Sequence, residues 1–459
     1  MASRHGMKPW NLASWPRSAW AVLTVVLVAL LTLLGGGGKS LTTAYKSFTE
    51  TDRIMEMSAV LSGPPAQSFP VTLIKVDDET MSRWGKNHAI TPHAAVARLI
   101  EIAAKGGALA IVVDIDLASE NRAVAPSHAL MEAVADYQPN ALPLMFVRNF
   151  GAGPANEGVD SGALNATPYD YGFAASQRAM WVSALTPLSG DRIVRRLRLW
   201  QTICDGGGGV SYPSPALVIA AKFSADGDRS GELEKFLAGQ VDRYCKKMRN
   251  IEPEASWPHR LNPDVAIRYM FNAAANEGNV KTVSYKGASV ALLQQIPAWT
   301  LVNVSDNSAT LAGDIHPQAF QNRVVVIGVT HSNSGDLYET PLGAQPGAMI
   351  LANSIAAAAD MANMRETSPT TEILIVLGIF AVLAFVSYRL QMAPAALIAV
   401  AIIVAAAVIL SRLFNFDVAI RVIAATITLF VLHKFVDSLV GVIYDWSHGK
   451  GWRSILKTH

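Results

Sequence analysis

Two apolar runs decide the fold: VTLIKVD at residues 71–77 and ALAIVVDI at residues 108–115. Both are rich in β-branched residues and have the length of buried strands. Between them, Thr91 predicts a helix N-cap, Pro92 predicts the first helical position, and Gly106 predicts the end of the helix. A strand–helix–strand unit of this kind normally pairs its strands in parallel, with a right-handed crossover.

Two more apolar runs extend this pattern, ALPLMFV at residues 141–147 and RVVVIGV at residues 323–329. The alanine-rich residues 346–360 then predict a helix after the last strand. Strands that alternate with helices in this way are typical of α/β architecture. The sequence therefore predicts an α/β domain with a mostly parallel central sheet.

The composition is that of a membrane protein with a large polar part. Hydrophobic residues make up 51% of the chain and charged residues 16%, and the mean hydropathy is +0.26. Globular proteins usually carry about 25% charged residues. The net charge is only +2, which gives no support for a nucleic-acid partner, because such a protein needs a concentrated basic face.

Four apolar segments have the length of membrane-spanning helices, about 20 residues. They are residues 18–38, 371–388, 392–411 and 418–436. Basic residues without acidic ones precede the first segment, which places residues 1–17 in the cytoplasm by the positive-inside rule. A cleaved signal peptide is the alternative for the first segment, but its apolar core would be shorter.

Four spans return the chain to the side on which it began. We therefore expect the basic tail at residues 437–459 to be cytoplasmic and residues 39–370 to form the domain outside it. This topology predicts a multi-pass protein in the lipid bilayer of a bacterial inner membrane, with its large domain in the periplasm. In that oxidising compartment Cys204 and Cys245 can form a disulfide, although two buried free thiols are an equally good interpretation.

Acidic residues stand at the ends of the predicted strands. They are Asp77, Asp78, Asp114, Asp116, Glu120 and Asp336. In open α/β sheets ligands bind outside the carboxyl ends of the strands, and carboxylates there can hold Ca²⁺ or Mg²⁺. The alternative is that these acids cap helices, close turns and pair with arginines. No credible catalytic set is present, so we expect no enzyme activity and no cofactor other than such a cation.

Several blocks of this sequence resemble the CHASE2 domain family. They are IKVDD at 74–78, WG at 84–85, PH at 92–93, DIDL at 114–117, YGF at 171–173, YPSPAL at 212–217, RVVVIGVT at 323–330, Asp336, TPLG at 340–343, PGA at 346–348 and ANSI at 352–355. The family's usual frame, one helix before the domain and three after it, is similar to the four spans found above.

The resemblance implies an extracytoplasmic sensory module, which in this family usually precedes a cytoplasmic cyclase, histidine kinase or protein kinase. Only residues 437–459 follow the last predicted span here. We therefore expect the domain to sense a ligand or an envelope state and to relay it to a separate protein partner. The alternative is a non-sensory accessory or scaffold subunit of a secretion or polysaccharide-export complex. Small residues at 395–407 suit close packing within the bundle of predicted spans, and they also suit a contact with a partner or with a second copy in a homo-oligomer.

Overall fold

The computed structural model describes most of the domain and part of the C-terminal region. The described residues are 68–85, 90–117, 127–138, 142–150, 159–160, 167–188, 192–205, 208–224, 227–245, 264–267, 269–271, 281–305, 308–313, 317–358, 369–389, 392–413, 422–423 and 425–431. The chain divides into two compact units, one formed by residues 55–366 and the other by residues 1–54 and 367–459.

The unit formed by residues 55–366 contains many short strands. They are β1 (Val71–Val76), β2 (Ala110–Asp114), β3 (Leu144–Val147), β4 (Val159–Asp160), β5 (Ala179–Val182), β6 (Arg196–Arg198), β7 (Trp200–Asp205), β8 (Gly208–Pro213), β9 (Asp264–Ala266), β10 (Thr282–Tyr285), β11 (Ala288–Ala291), β12 (Leu293–Pro297), β13 (Val302–Ser305), β14 (Ser308–Leu311), β15 (Val324–Val329), β16 (Leu337–Thr340) and β17 (Gly343–Pro346).

Helices alternate with these strands along the chain. They are α1 (Asp78–Trp84), α2 (His93–Lys105), α3 (His128–Asp136), α4 (Asp170–Ser176), α5 (Pro215–Lys222), α6 (Ser230–Tyr244) and α7 (Gly347–Ala356). Short 3₁₀ turns lie at Ala298–Thr300, Pro317–Ala319 and Ser332–Ser334.

A six-stranded parallel sheet forms the centre of the domain, in the order β12-β1-β15-β2-β3-β5. The predicted α/β class and parallel sheet are therefore confirmed, and all four predicted strands belong to this sheet. The late strand β15 lies between β1 and β2, so the two strands of the first strand–helix–strand unit are parallel but not adjacent. Strands β5 and β12 occupy the two edges and were not predicted.

Both faces of the sheet are buried, as is usual for parallel sheets. On one face, Leu73 and Val326 pack with residues of α5 and α7. On the other, Ile74 and Ile327 pack with residues of α2 and α3. Each large apolar side chain buried in this way contributes about 1.5–3 kcal/mol. Successive side chains of a strand point to opposite faces, and both faces are buried. This explains why β15 is apolar throughout and why β1 is apolar except at Thr72 and Lys75.

Helix α2, the second of the two helices between β1 and β2, begins one residue later than predicted. The residue at its N-cap is Pro92, with ψ 126°, and the first helical residue is His93. Thr91 is not the N-cap because Pro92 itself has the extended dihedral angles of an N-cap residue, with φ −62° and ψ 126°. The helix ends at Lys105, before Gly106, as predicted. The helix predicted over 346–360 is α7, and residues 359 and 360 lie outside the described residues.

A disulfide joins the β7–β8 hairpin to the residue that follows α6. Cys204 and Cys245 are bonded, with their Cα atoms 5.2 Å apart. The side of the hairpin that faces Cys245 has no room for a side chain, because a Cβ at Gly209 would lie 2.5 Å from the Cys245 sulfur. The bond therefore fixes the end of α6 closely against the hairpin.

The unit formed by residues 1–54 and 367–459 contains two long helices among its described residues, α8 (Pro369–Arg389) and α9 (Met392–Leu413). They coincide with two predicted spans. The span at 18–38 lies outside the described residues, and the span at 418–436 is described only at 422–423 and 425–431. Among the described helices, none combines the length and apolar character that a membrane crossing requires. The four transmembrane helices remain a prediction.

Candidate functional site

The six parallel strands all end on the same side of the sheet, which we call its carboxyl edge. In folds of this class ligands bind there. Asp77 directly follows β1, Asp114 is the last residue of β2, and Thr330 directly follows β15. Asp336 lies a few residues further on, between a 3₁₀ turn and β16. The edge therefore gathers acidic residues from three segments of the chain.

The structure brings Asp114 and Asp336 together. Burial, and then the neighbouring Asp336 carboxyl group, raise the pKa of Asp114 to about 8. Burial also raises the pKa of Asp336, although hydrogen bonds from Tyr338 and from the Gly347 amide oppose that rise. Two carboxyl groups this close resist being ionised together, because a like charge disfavours ionisation of its neighbour, so the pair retains a proton at neutral pH.

Tyr338 completes this group. Its hydroxyl lies beside the Asp336 carboxylate and lowers the pKa of that group. Burial raises the pKa of Tyr338 to about 12, and the nearby charge of Asp336 acts in the same direction. The phenol therefore stays protonated and remains a donor at every physiological pH. We call Asp114, Asp336 and Tyr338 the acidic cluster.

Two glycines allow the acidic cluster to pack against α7. A Cβ at Gly347 would lie 2.7 Å from one carboxylate oxygen of Asp336, too close for any side chain. Gly328 lies beside Asp114 in the β15–β2 register, and a Cβ there would collide with the Ala348 methyl group. The first turn of α7 therefore sits directly on the central strand and next to both carboxyl groups.

Two buried polar side chains near the acidic cluster make no hydrogen bond to any described residue. Gln345 is 0% exposed, and both its amide oxygen and its amide nitrogen lack a partner. It faces Tyr338 directly across the antiparallel β16–β17 pair, so the two side chains lie on the same face. The buried hydroxyl of Thr330 lacks a partner as well. The sequence analysis missed both residues.

Asp77 has a structural role at the same edge. Its side chain accepts hydrogen bonds from the Thr80 amide at 2.9 Å and from the Thr80 hydroxyl at 2.7 Å, so it caps α1. Lys75 pairs with it at 3.2 Å. Burial pushes the pKa of Asp77 upward, but the hydrogen bonds from Thr80 and Lys75 outweigh burial and lower it.

The other sequence-predicted acids lie apart from the acidic cluster. Asp78 accepts hydrogen bonds from the amide and hydroxyl of Ser332. Asp116 is exposed, and its charge acts on His93 at the start of α2. Glu120 lies outside the described residues. Within the described part of the chain, no three or more His, Cys, Asp or Glu side chains are arranged to hold a metal ion.

A second polar group at this edge was not predicted. Arg148, just after β3, donates hydrogen bonds of 2.9 Å and 3.0 Å to the two carboxylate oxygens of Asp170 in α4. Its guanidinium group also lies 5.0 Å from the Trp181 ring and 5.6 Å from the Tyr212 ring. Since both oxygens of Asp170 already bind it, we assign Arg148 to the attachment of α4.

Comparison with known proteins supports a family assignment. A family model described as the CHASE2 domain matches residues 17–387, which is most of the chain. No curated protein and no solved structure matches this chain. CHASE2 is a family of extracytoplasmic sensory domains. The resemblance noted in the sequence is thus confirmed, and the chain belongs to the CHASE2 domain family.

Proposed function

We propose that this protein is a sensor of the bacterial inner membrane, with residues 39–370 in the periplasm. The domain detects a ligand or an envelope state, and the predicted membrane spans relay this to a separate protein. The observation that carries the proposal is the CHASE2 match over residues 17–387, because this family consists of extracytoplasmic sensory domains. The acidic cluster supports it, since it occupies the edge at which α/β sheets bind ligands.

The chain connectivity supports a relay from this edge. Asp336 contacts Gly347 at the start of α7, and α7 packs on the central strand through Ala348. The chain runs from the end of α7 at Ala356 to the start of α8 at Pro369, where the second predicted span begins. A change of charge or geometry at Asp336 therefore acts on α7, the last helix of the domain among the described residues.

The protein is proposed to act by binding and not by catalysis. The hydroxyl of Ser332 donates to Asp78, and the hydroxyl of Ser334 accepts from the Asp336 amide. Neither contact activates a nucleophile, because nucleophilic catalysis needs a hydrogen-bonded base such as histidine. A protein partner is supported by exposed large apolar side chains on the domain, namely Tyr171 at 87% and Leu337 at 60% exposure.

Partner capture from intact cells tests this function. The full-length protein, with an affinity tag at its C-terminus, is cross-linked in its own host, solubilised in mild detergent and purified, and the bound proteins are identified by mass spectrometry. The activity of any captured kinase or cyclase is then assayed in membranes with and without this protein. A matched control carries Asp116→Asn, which removes an exposed charge away from the acidic cluster.

The sensor proposal expects a captured output protein whose activity changes when this protein is deleted. If the captured proteins are only components of a secretion or polysaccharide-export apparatus, and no signalling output changes, the sensor proposal is wrong. That second result would establish the accessory or scaffold alternative.

A further inference from the structure

We propose that Asp114 and Asp336, together with Gln345, form a binding site for one divalent cation, calcium or magnesium, at the carboxyl edge of the central sheet. This inference rests on the proposed function, because it names the ligand class of the sensing edge. Three independent features of the described residues support it: two adjoining carboxyl groups without a basic partner, an unpartnered buried amide, and a rigid frame.

The first feature is the lack of a positive side chain beside the carboxyl groups. Two basic residues lie near Asp114 by register. Arg148 comes one residue beyond the β3 position beside Asp114, and both carboxylate oxygens of Asp170 bind it. Lys75 lies two strands away, because β1 pairs Lys75 with Gly328 and β15 pairs Gly328 with Asp114. Lys75 already forms an ion pair of 3.2 Å with Asp77. Among the described residues, no lysine or arginine pairs with Asp114 or Asp336. Buried charges are normally paired or coordinate a metal.

The second feature is the amide of Gln345. Leaving both polar atoms of a fully buried amide without a hydrogen bond is costly, because each atom loses its hydrogen bonds to water and gains none in return. Gln345 lies on the same face of its hairpin as Tyr338, whose hydroxyl binds Asp336. The amide oxygen is a hard ligand of the kind that Ca²⁺ and Mg²⁺ accept. A cation at this position gives the amide oxygen the partner that it otherwise lacks.

The third feature is the rigidity of the surrounding main chain. Asp114 ends a strand that is hydrogen bonded on both sides, by β15 and by β3. The Asp336 main-chain carbonyl accepts a 2.9 Å hydrogen bond from the Gly347 amide, and the Tyr338 hydroxyl lies beside its carboxylate. A cation bound here would therefore connect the sheet to the β16–β17 hairpin and to the first turn of α7. Thr330 directly follows β15, the strand that pairs with β2. Its buried hydroxyl offers a further oxygen.

The chemistry of the ligand follows from the oxygen atoms available. Two carboxylates and one amide oxygen are hard ligands, and no described cysteine or histidine belongs to the cluster. Hard oxygen ligands favour Ca²⁺ or Mg²⁺ over Zn²⁺ or copper. Because Ca²⁺ takes 6–8 oxygen ligands, the remaining positions would be filled by water or main-chain carbonyl groups.

Terbium binding to the full-length protein in detergent tests the site. Tb³⁺ replaces Ca²⁺ at oxygen sites and emits when nearby aromatic rings are excited. Emission is titrated with Tb³⁺ and then competed with Ca²⁺ and with Mg²⁺ after dialysis against a chelator. The variants are Asp114→Asn, Asp336→Asn and Gln345→Leu, and Asp116→Asn is the matched control. Thermal unfolding with and without Ca²⁺ gives a second reading for every variant.

We expect saturable Tb³⁺ emission that Ca²⁺ displaces, and a higher unfolding midpoint of the wild-type protein in Ca²⁺. Asp114→Asn and Asp336→Asn should each weaken binding by at least about tenfold, since even groups that only orient metal ligands cost 10–100-fold when removed. Asp116→Asn should bind as the wild type does. The two Asn variants should remain folded because asparagine has the size of the neutral aspartic acid side chain, and their own unfolding midpoints check this.

The proposal is overturned if the wild-type protein binds no Tb³⁺ or Ca²⁺, or if Asp116→Asn weakens binding as much as Asp114→Asn does. It is also overturned if Ca²⁺ has no effect while acidification alone raises the unfolding midpoint, because a shared proton then compensates the charge. None of these results bears on the captured output partner. A failure of the cation site is therefore distinguishable from a failure of the sensor function.

Discussion

Asp78 accepts two hydrogen bonds from Ser332, one from the amide at 3.1 Å and one from the hydroxyl at 2.9 Å, although the residues are 254 positions apart. The contact holds α1, which follows β1, to the 3₁₀ turn that follows β15. That turn leads directly to Asp336. The position of Asp336 at the sheet edge therefore depends on an interaction between the segments that follow β1 and β15.

The first prediction concerns this contact. Asp78→Ala should lower the unfolding midpoint by an amount equivalent to about 1 kcal/mol, because it removes two exposed hydrogen bonds. Asp78→Asn keeps a side-chain oxygen that can accept from Ser332 and should have a smaller effect. Thermal unfolding of the full-length protein measures both variants. Equal losses in both would show that the charge of Asp78, and not its hydrogen bonds, matters.

Arg323 supplies the second prediction. Its guanidinium group donates hydrogen bonds of 2.7 Å to the Thr72 hydroxyl, 2.7 Å to the Ala291 carbonyl and 2.5 Å to the Val71 carbonyl. Arg323→Met should cost about 3 kcal/mol, since it leaves these buried acceptors without a donor. Burial lowers the pKa of Arg323 to about 10, so the group stays charged at neutral pH.

The control for Arg323 is a lysine. Arg323→Lys keeps the charge but cannot reach three acceptors in separate directions, so its unfolding midpoint should lie between those of the wild type and Arg323→Met. If Arg323→Met unfolds at the wild-type temperature, the guanidinium group does not fix the start of β15.

The third prediction concerns the disulfide. Cys204 and Cys245 are 41 positions apart, and the chain-entropy model assigns about 4 kcal/mol to closing a loop of that length. The double variant with serine at both positions should therefore unfold at a clearly lower temperature than the oxidised wild type. Reduced wild-type protein is the control and should behave like the double variant. Identical midpoints in all three samples would contradict a stabilising disulfide.

The fourth prediction concerns His93 and pH. The Tyr169 hydroxyl accepts from the Ser127 amide at 3.0 Å, so its own proton is available to His93 Nδ1 at 2.5 Å. Burial lowers the pKa of His93 to about 4, while Asp116 weakly opposes the shift. Between pH 6.5 and 4 the unfolded chain therefore binds a proton that the folded domain does not. Stability attributable to His93 is present above pH 6.5 and is lost as the pH falls.

The size of this effect follows from the pKa difference. A shift from 6.5 to about 4 corresponds to about 3 kcal/mol over that pH range. His93→Gln cannot titrate and should show a flatter fall of the unfolding midpoint between pH 6.5 and 4 than the wild type does. Parallel pH profiles for the two proteins would mean that His93 is protonated in the folded domain.

The central strands could be predicted from sequence because β1, β2 and β15 are apolar at consecutive positions. The edge strand β12, LQQIP, was missed because its polar residues are only half-buried. Strand β5, AMWV, was missed because Arg178 and Ser183 bound it closely, whereas the equally short β3 lies in the longer apolar run ALPLMFV. Asp114 and Asp336 could be expected at one edge once the strands were parallel. The capping role of Asp77 was readable in principle from Thr80, three residues later.

The rest of the site depends on contacts that no local pattern carries. Gln345 lies beside the acidic cluster only because the β16–β17 register sets it opposite Tyr338. Arg148 and Asp170 meet because the end of β3 and the start of α4 lie side by side, with a long intervening segment. Neither pairing has a sequence period that would reveal it, since both are set by the packing of separate elements.

The most direct test of the account is the compartment of the domain, which the sensor proposal requires to lie outside the cytoplasm. Alkaline phosphatase, which is active only in the periplasm, is fused after residue 366 and, separately, after residue 459, and the activity of intact cells is measured at matched expression. We predict high activity for the fusion after residue 366 and none for the fusion after residue 459. The reverse pattern would place the domain in the cytoplasm and contradict the account.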